Sequence, residues 1–338
     1  MHAGKLPVHL ASFVVWKDVL RLNVQQGNAP ALGVKEKLKR KVQRHGSEWL
    51  QCYAMIGLPT IGFFLFSLYP IIWVLIMAFY DYDGIVSNFV GLDNFITIFT
   101  KDAMYWNSVI ETLIIGFGKL LVEIPLAFFF AVVLNSNLKG RSIFRVSYFM
   151  PSVMSASVMA LIFYFLFASY NGVVNNALQA LHMIQAPINW FGSRWTATAV
   201  IMIVSLWMGV GINMIYFLAG LQSVPQELYE CSELDGCNKF QQFYHITLPT
   251  LKPITQTIIL FAIIGTMKIS DLVLVLTNGG PAGQTDVMMT YVYKYFFVQG
   301  DVSTAKYGYA SALGFVSALI IAAISLGYLF YSKKKNED

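Results

Sequence analysis

Charged residues are scarce in this chain. Asp, Glu, Lys and Arg make up 12% of its 338 residues, and hydrophobic residues make up 57%. A soluble domain normally carries roughly 25% charged residues. The composition therefore excludes an ordinary soluble domain and indicates a chain that crosses a lipid bilayer several times.

Cysteine and the motifs of catalysis are also lacking. Cys52, Cys231 and Cys237 have no metal-ligand spacing, so we expect neither a disulfide framework nor a metal site. GxxxxGK[ST] is absent, which excludes a nucleotide-binding loop of that kind, and the five histidines are scattered. We expect no catalytic residue, no cofactor held by this chain and no nucleic-acid partner.

Six apolar runs are each long enough to span a membrane, which takes about 20 helical residues. We place them at 52–80, 107–134, 147–168, 195–220, 251–277 and 306–331. Lys and Arg number 17 in the segments on one side of these runs and four on the other. The positive-inside rule therefore places both termini in the cytoplasm. The sequence predicts an all-α membrane protein with six transmembrane helices.

A basic cytoplasmic segment, residues 1–50, is predicted to precede the transmembrane domain of residues 51–338. Six Lys and Arg residues fall between Lys35 and Arg44. They could tether the segment to anionic membrane lipid, or form a solvated tail that only fixes the orientation. The sequence leaves the role of residues 1–45 open.

A polar stretch of 27 residues, 223–249, separates the fourth run from the fifth on the cytoplasmic side. Ser223 and Gln226 have the spacing of a capping box, which predicts a helix start. Gly236 lies where a helix takes a left-handed residue after its last turn. A second short helix is expected next, ended by Pro249. We call residues 223–249 the elbow and expect another protein to grip it.

The elbow carries a specific motif. Glu230-Cys231-Ser232, three residues, Gly236, nine residues and then Ile246-x-Leu248-Pro249 resemble the EAA motif of ABC importer permeases. Small Cys231 and Ser232 replace the two alanines of that motif. The alternative is an ordinary amphipathic loop between two spans.

In that family the elbow docks into a groove on a cytoplasmic ATPase. The resemblance implies that Gly236 makes the turn, that Glu230 and Asp235 position or cap the elbow, and that Tyr229 and Leu234 enter the groove. The full implied coupling set is Tyr229, Glu230, Cys231, Ser232, Leu234, Asp235, Gly236, Ile246, Leu248 and Pro249.

The resemblance covers about residues 55–330. Residues 91–95 (GLDNF), 217–222 (FLAGLQ) and 271–281 (DLVLVLTNGGP) are similar to family segments. FYHITLP, at the end of the elbow, is typical of the carbohydrate branch. The chain resembles the first of two related sugar permeases that pair as a heterodimer with type I ABC importer architecture; a homodimer stays open.

This resemblance implies a permease subunit, not an enzyme, in the cell membrane of a bacterium or archaeon. It would translocate a sugar or oligosaccharide delivered by an extracytoplasmic solute-binding protein. Its partners would be a second permease and two cytoplasmic ATPase subunits, which bind ATP and Mg. The outward loops at 81–106, 169–194 and 279–300 would receive the binding protein. Which sugar is carried cannot be read from the residues.

Charged side chains inside the spans have two possible roles, because burying them in a membrane is costly. Lys119 and Glu123 lie at i and i+4, and Lys268 and Asp271 at i and i+3. They could line a polar cavity for sugar hydroxyls, or neutralise each other and fix helix packing. The candidate substrate pathway comprises Lys119, Glu123, Trp207, Asn213, Tyr216, Lys268, Ser270 and Asp271. Gly209 and Gly211, in the fourth run, would permit close backbone approach.

A secondary carrier and a membrane-embedded enzyme are the two other classes of membrane protein to compare with this sequence. A secondary carrier driven by an ion gradient would use an intramembrane acid as its ion site, and Glu123 or Asp271 could serve. Six spans without a clear repeat argue against such a carrier. A membrane-embedded enzyme would need converging catalytic groups, which the sequence does not offer.

Overall fold

A computed structural model describes residues 49, 51–136, 138–297 and 306–337. Contacts divide the chain into two compact units, residues 1–71 and residues 72–338. The predicted basic segment at 1–50 lies outside the described residues apart from Trp49. From residue 51 to 71 the first unit is part of helix α1, Gln51–Met77, and all of its side chains there are exposed or half-buried.

The second unit is built from helices and one short hairpin. Strands β1, Tyr80–Tyr82, and β2, Ser87–Phe89, pair antiparallel. The helices are α2 Asp93–Thr100, α3 Ala103–Asn135, α4 Arg141–Val153, α5 Ala156–Leu166, α6 Val173–Ala180, α7 Arg194–Gln222, α8 Gln226–Leu234, α9 Lys239–Met267, α10 Asp271–Leu276, α11 Met288–Phe296 and α12 Tyr307–Glu337.

Five helices in the described ranges are long and apolar enough to cross a membrane: α1, α3, α7, α9 and α12. The predicted third span is not continuous, because α4 and α5 meet at a 97° bend. Pro151 lies in the last turn of α4, and Met154 leaves the helical region with φ −72° and ψ 147°. The bent pair supplies the sixth span if the two helices are taken together.

The predicted fifth span, 251–277, is wrong at both ends. Helix α9 begins earlier, at Lys239, and ends at Met267. Lys268 caps that end, and the chain restarts as α10 at Asp271. Lys268 and Asp271 are therefore not one turn apart on a single helix.

Helices α3 and α7 form the centre of the second unit. Small side chains of α3 and large side chains of α7 share one core, with Ala127 and Ala131 of α3 buried in one cluster with Met214 and Phe217 of α7. Gly211 confirms the predicted close backbone approach, because a methyl group there would clash with the backbone at Tyr148. At Gly209 the close neighbour is instead the Glu123 side chain. This packing holds the polar groups of α3 and α7 against one another.

Candidate functional site

The elbow begins differently from the sequence prediction. Ser223 caps the end of α7 rather than the start of α8, and its hydroxyl donates to the carbonyl of Gly220 at 2.7 Å. The position before α8 is Pro225, with no side-chain cap. The Ser223–Gln226 capping box is therefore wrong, because α7 extends through Gln222 and takes Ser223 into its own last turn.

A capping box forms instead at the start of α9. The Asn238 side chain accepts the Gln241 amide N–H at 2.9 Å, and the Gln241 side chain accepts the Asn238 N–H at 2.8 Å. Between the two helices Gly236 has φ +78°, which confirms the predicted left-handed turn. A side chain there would be strained even though no atom stands in its way.

Pro249 does not end the second helix. Helix α9 passes through a π-helical turn, Phe243–Thr247, and continues into its membrane span. Pro249 lies in the first turn after that π segment. The elbow is consequently continuous with the fifth span, so a force applied to the elbow reaches the membrane through one helix.

Polar side chains join α8 to α9 inside the elbow. The Tyr229 hydroxyl lies 2.8 Å from Thr247 Oγ1, and Gln242 Nε2 donates to Ser232 Oγ at 3.0 Å. Ser232, Gln242 and Thr247 are buried. Tyr229 therefore turns its hydroxyl inward, and the elbow has a polar core of its own.

Large apolar side chains face away from this core. Leu234 is 89% exposed and Phe240 is 76% exposed, and Leu228 and Tyr244 are exposed as well. We call these four residues the elbow tip. The other predicted coupling residues divide by burial: Glu230, Cys231, Asp235, Gly236, Leu248 and Pro249 are exposed, and Ile246 is half-buried.

Glu123 is the centre of a buried polar cluster that joins three spans. It is 1% exposed on α3, accepts a hydrogen bond from Asn213 Nδ2 of α7 at 2.7 Å, and lies 3.2 Å from Lys119 Nζ. Lys119 also donates to Thr266 Oγ1 of α9 at 3.3 Å. Gly209 leaves the space that the carboxylate fills. The cluster links α3, α7 and α9.

The remaining predicted pathway residues lie elsewhere. No ion pair joins Lys268 to Asp271 among the described residues, so the predicted i, i+3 pair is wrong. Both side chains are exposed. The Asp271 carboxylate accepts a hydrogen bond from Ser270 instead. Trp207 contacts Phe163 at 5.4 Å between ring centroids, and Tyr216 is exposed. Among the eight candidates, Lys119, Glu123 and Asn213 are joined by direct contacts, and the assignment of all eight to a substrate pathway stays a prediction.

Sequence reasoning passed over a second buried ion pair. Glu111 of α3 is fully buried and accepts two hydrogen bonds from Arg194, at 2.7 and 3.0 Å, and one from Thr198. Arg194 and Thr198 belong to α7. The signal was an acidic residue inside the second apolar run with no basic residue three or four positions away, which needs a partner from another helix.

The outer loops hold two further polar clusters. Asp102 accepts the hydroxyls of Tyr291 and Tyr309 at 2.8 and 2.6 Å. Burial and the bond to Asp102 raise the pKa of the Tyr291 phenol. Asp286 holds Lys294, with both carboxylate oxygens 2.8 Å from its Nζ. These contacts order two of the three loops predicted to receive a binding protein.

Known proteins share this architecture. Residues 123–336 match the family model described as "Binding-protein-dependent transport system inner membrane component". This chain belongs to that family. Its members are multi-pass transport permeases of the membrane, which agrees with the resemblance stated from the EAA-like motif.

Two curated relatives and one solved structure are similar to this chain over most of its length. The chain is 35% identical over 269 residues to the arabinooligosaccharides transport system permease protein AraP of Bacillus subtilis, covering 79% of this chain and 83% of AraP. It is 30% identical over 301 residues to the lactose transport system permease protein LacF of Rhizobium radiobacter, covering 88% and 97%. The solved structure is a bacterial alginate ABC transporter in complex with an alginate pentasaccharide-bound periplasmic protein. One of its chains matches with a TM-score of 0.72 and 23% identity, and the match covers 88% of this chain and 98% of that chain. The last match bears on the fold alone.

Proposed function

We propose that this chain is one of two permease subunits in an ATP-driven importer that takes up a sugar or oligosaccharide. The relatives support a sugar cargo, because AraP and LacF are named for an arabino-oligosaccharide and for lactose. The family description supports delivery by a solute-binding protein. The second permease, and two ATPase subunits that bind ATP and Mg, complete the proposed assembly.

The elbow tip carries the proposal. Four large apolar side chains stand exposed on the cytoplasmic side of a chain whose other exposed apolar residues fall mostly in the spans. A solvated apolar patch of this kind marks a protein interface. The polar core between α8 and α9 keeps the tip in one shape, and α9 connects it to the membrane. We infer that ATPase closure moves the elbow and that α9 passes this motion to the spans.

Glu123 fits a structural role within this scheme better than a sugar-binding role. Its carboxylate is buried between three helices and is occupied by Asn213 and Lys119. A sugar hydroxyl would have to displace these partners. We propose that the cluster sets the packing of α3, α7 and α9 and that it does not contact the cargo.

Substitution of Leu234 tests the elbow. Leu234→Asp places a charge on the tip, and burying a leucine is worth about 1.5–3 kcal/mol, so ATPase retention on purification should fall at least tenfold. Leu138→Asp is the matched control, because Leu138 is also exposed on the cytoplasmic side but lies outside the elbow. Both variants should insert and melt like the wild type. Equal ATPase retention by Leu234→Asp and the wild type would contradict the proposed docking.

A further inference from the structure

A polar cavity lies where α3 and α7 begin and where the chain turns into α11. The positive-inside count places these helix starts outside the cytoplasm. The cavity encloses about 760 Å³, and small-molecule sites commonly occupy roughly 300–1,000 Å³. Asn107 of α3, Arg194 and Trp195 of α7 and Gln284 of the loop before α11 contribute to its lining. We call it the outer cavity.

Two adjacent buried residues of α3 hold the walls of the outer cavity together. Glu111 and Thr112 are both fully buried. Glu111 binds Arg194 of α7, and Thr112 Oγ1 accepts the backbone N–H of Met288, the first residue of α11, at 2.9 Å. The α7 wall and the loop wall are thus both fastened to α3. A site that is ordered before its ligand arrives loses less entropy on binding.

Arg194 and Trp195 present two kinds of recognition group side by side. Nε and Nη2 of Arg194 donate to Glu111, and the described residues offer no hydrogen-bond partner to Nη1. The Arg194 side chain is 30% exposed. Its guanidinium carbon lies 5.2 Å from the centre of the Trp195 ring, and Trp195 is 65% exposed. A fixed set of N–H donors therefore lies next to an accessible indole.

The charge and polarity of the outer cavity favour a neutral ligand that carries hydroxyl groups. None of the described residues that line it is acidic, and Glu111 neutralises Arg194. Asn107 and Gln284 are exposed, and within the described ranges no hydrogen-bond partner is found for their side-chain amides. Each amide both donates and accepts, as a sugar hydroxyl does.

Other ligand classes match these groups less well. A carboxylate of a docking protein would find no free cation, because Glu111 already pairs with Arg194. A hydrocarbon chain would leave the polar groups of the lining without partners, which costs free energy. A sugar ring offers hydroxyl groups to the amides and the guanidinium, and its C–H face can pack on the indole.

We propose that the outer cavity binds a neutral saccharide. Arg194, Asn107 and Gln284 bond its hydroxyl groups, and Trp195 packs against its ring. This inference rests on the proposed sugar import and adds a place where the cargo meets this chain before it enters the spans. The outer cavity is distinct from the Glu123 cluster, with which it shares no lining residue.

Saturation-transfer NMR on the full complex tests saccharide binding without the binding protein. The complex is placed in nanodiscs, because glycoside detergents would compete, and is offered lactose, arabinotriose, glucose, galactose and arabinose at millimolar concentration. At least one saccharide should bind the wild type, and Trp195→Ala combined with Gln284→Ala should weaken its binding at least tenfold. Tyr170→Ala is the matched control, because Tyr170 is an exposed aromatic residue of an outward loop and does not line the cavity. It should bind like the wild type.

Cysteine protection locates the bound sugar and separates the possible occupants. Gln284→Cys, in right-side-out vesicles, is labelled with a maleimide that cannot cross the membrane, so the native cytoplasmic cysteines do not react. The saccharide that binds should slow this labelling and should leave labelling of a Tyr170→Cys control unchanged. Protection by the sugar-free binding protein but by no saccharide would overturn the proposal and identify a docking pocket for that protein.

Two further results would also overturn the proposal: no saccharide binding by the wild type, or full binding by the double variant. Neither result depends on ATP. If ATP-driven sugar uptake persists in liposomes while the outer cavity binds no saccharide, this inference fails and the proposed function stands. Uptake that is indifferent to ATP would instead contradict the proposed function, whatever the cavity binds.

Discussion

Replacing Gly209 with alanine should break the cluster around Glu123. The added methyl would lie 2.7 Å from Glu123 Cδ and closer still to Oε1, so the carboxylate has to move. Glu123 then loses the 2.7 Å hydrogen bond from Asn213, and a bond to a charged group contributes about 1.5–3 kcal/mol. Overpacking adds about 1–3 kcal/mol. Higher helix propensity returns at most about 1 kcal/mol, so a net loss of about 1.5–5 kcal/mol is expected.

Thermal unfolding of the purified complex in mild detergent measures this effect. Gly265→Ala is the matched control, because Gly265 lies in α9 with no atom within 4 Å of the added methyl. The melting temperature should fall for Gly209→Ala and stay level or rise for Gly265→Ala. Combining Gly209→Ala with Glu123→Ala should cost no more than Glu123→Ala alone, since the clash is then gone. A Gly209→Ala protein that melts at or above the wild-type temperature would refute the reasoning.

Three further substitutions test other contacts. Arg194→Gln leaves the Glu111 carboxylate buried without its ionic partner, which should cost about 3–5 kcal/mol and lower the melting temperature. Adding Glu111→Gln should restore part of the loss. An unchanged melting temperature in the single variant would contradict the ion pair. Asn238→Ala removes the capping box of α9 and should lower the stability of that helix end by about 1 kcal/mol. Amide hydrogen exchange in the first turn of α9 should therefore quicken about fivefold. Unchanged exchange would show that the cap is dispensable. Lys268→Gln combined with Asp271→Asn should change the melting temperature little, because exposed substitutions are usually within about 0.5 kcal/mol; a large drop would point to a contact between these residues.

The order of the spans could be predicted because it depends on run length and composition, which are local properties. Gly236 was predictable for the same reason, since a polar helix that ends at glycine commonly takes the left-handed turn. The EAA-like spacing around this glycine identified the family, which the family model and the relatives confirm.

The breaks inside the spans could not be predicted in the same way. The run 251–277 is apolar again directly after Lys268–Asp271, yet the helix stops at Met267 and α10 packs within the cluster that includes Phe163 and Val204. Such packing comes from residues far away in the chain. The i, i+3 pairing of Lys268 with Asp271 assumed a helix that tertiary contacts interrupt.

Long-range polar pairing was missed for a related reason. Glu111 and Arg194 are 83 residues apart, and the sequence offers no spacing rule that joins them. Lys119 and Glu123, four residues apart on α3, were paired correctly, but the roles of Asn213 and Gly209 in holding Glu123 depend on how α7 packs against α3. Local periodicity predicts pairs within a helix, and helix packing decides the rest.

Transport by the reconstituted complex tests the central claim most directly. The complex purified through this chain is placed in liposomes with a sugar-loaded binding protein outside and ATP with Mg inside. Sugar uptake is then measured with and without ionophores that collapse proton and sodium gradients. We expect uptake that requires enclosed ATP and continues after the gradients are gone. Uptake that stops with the gradients and is indifferent to ATP would contradict the account and support a secondary carrier.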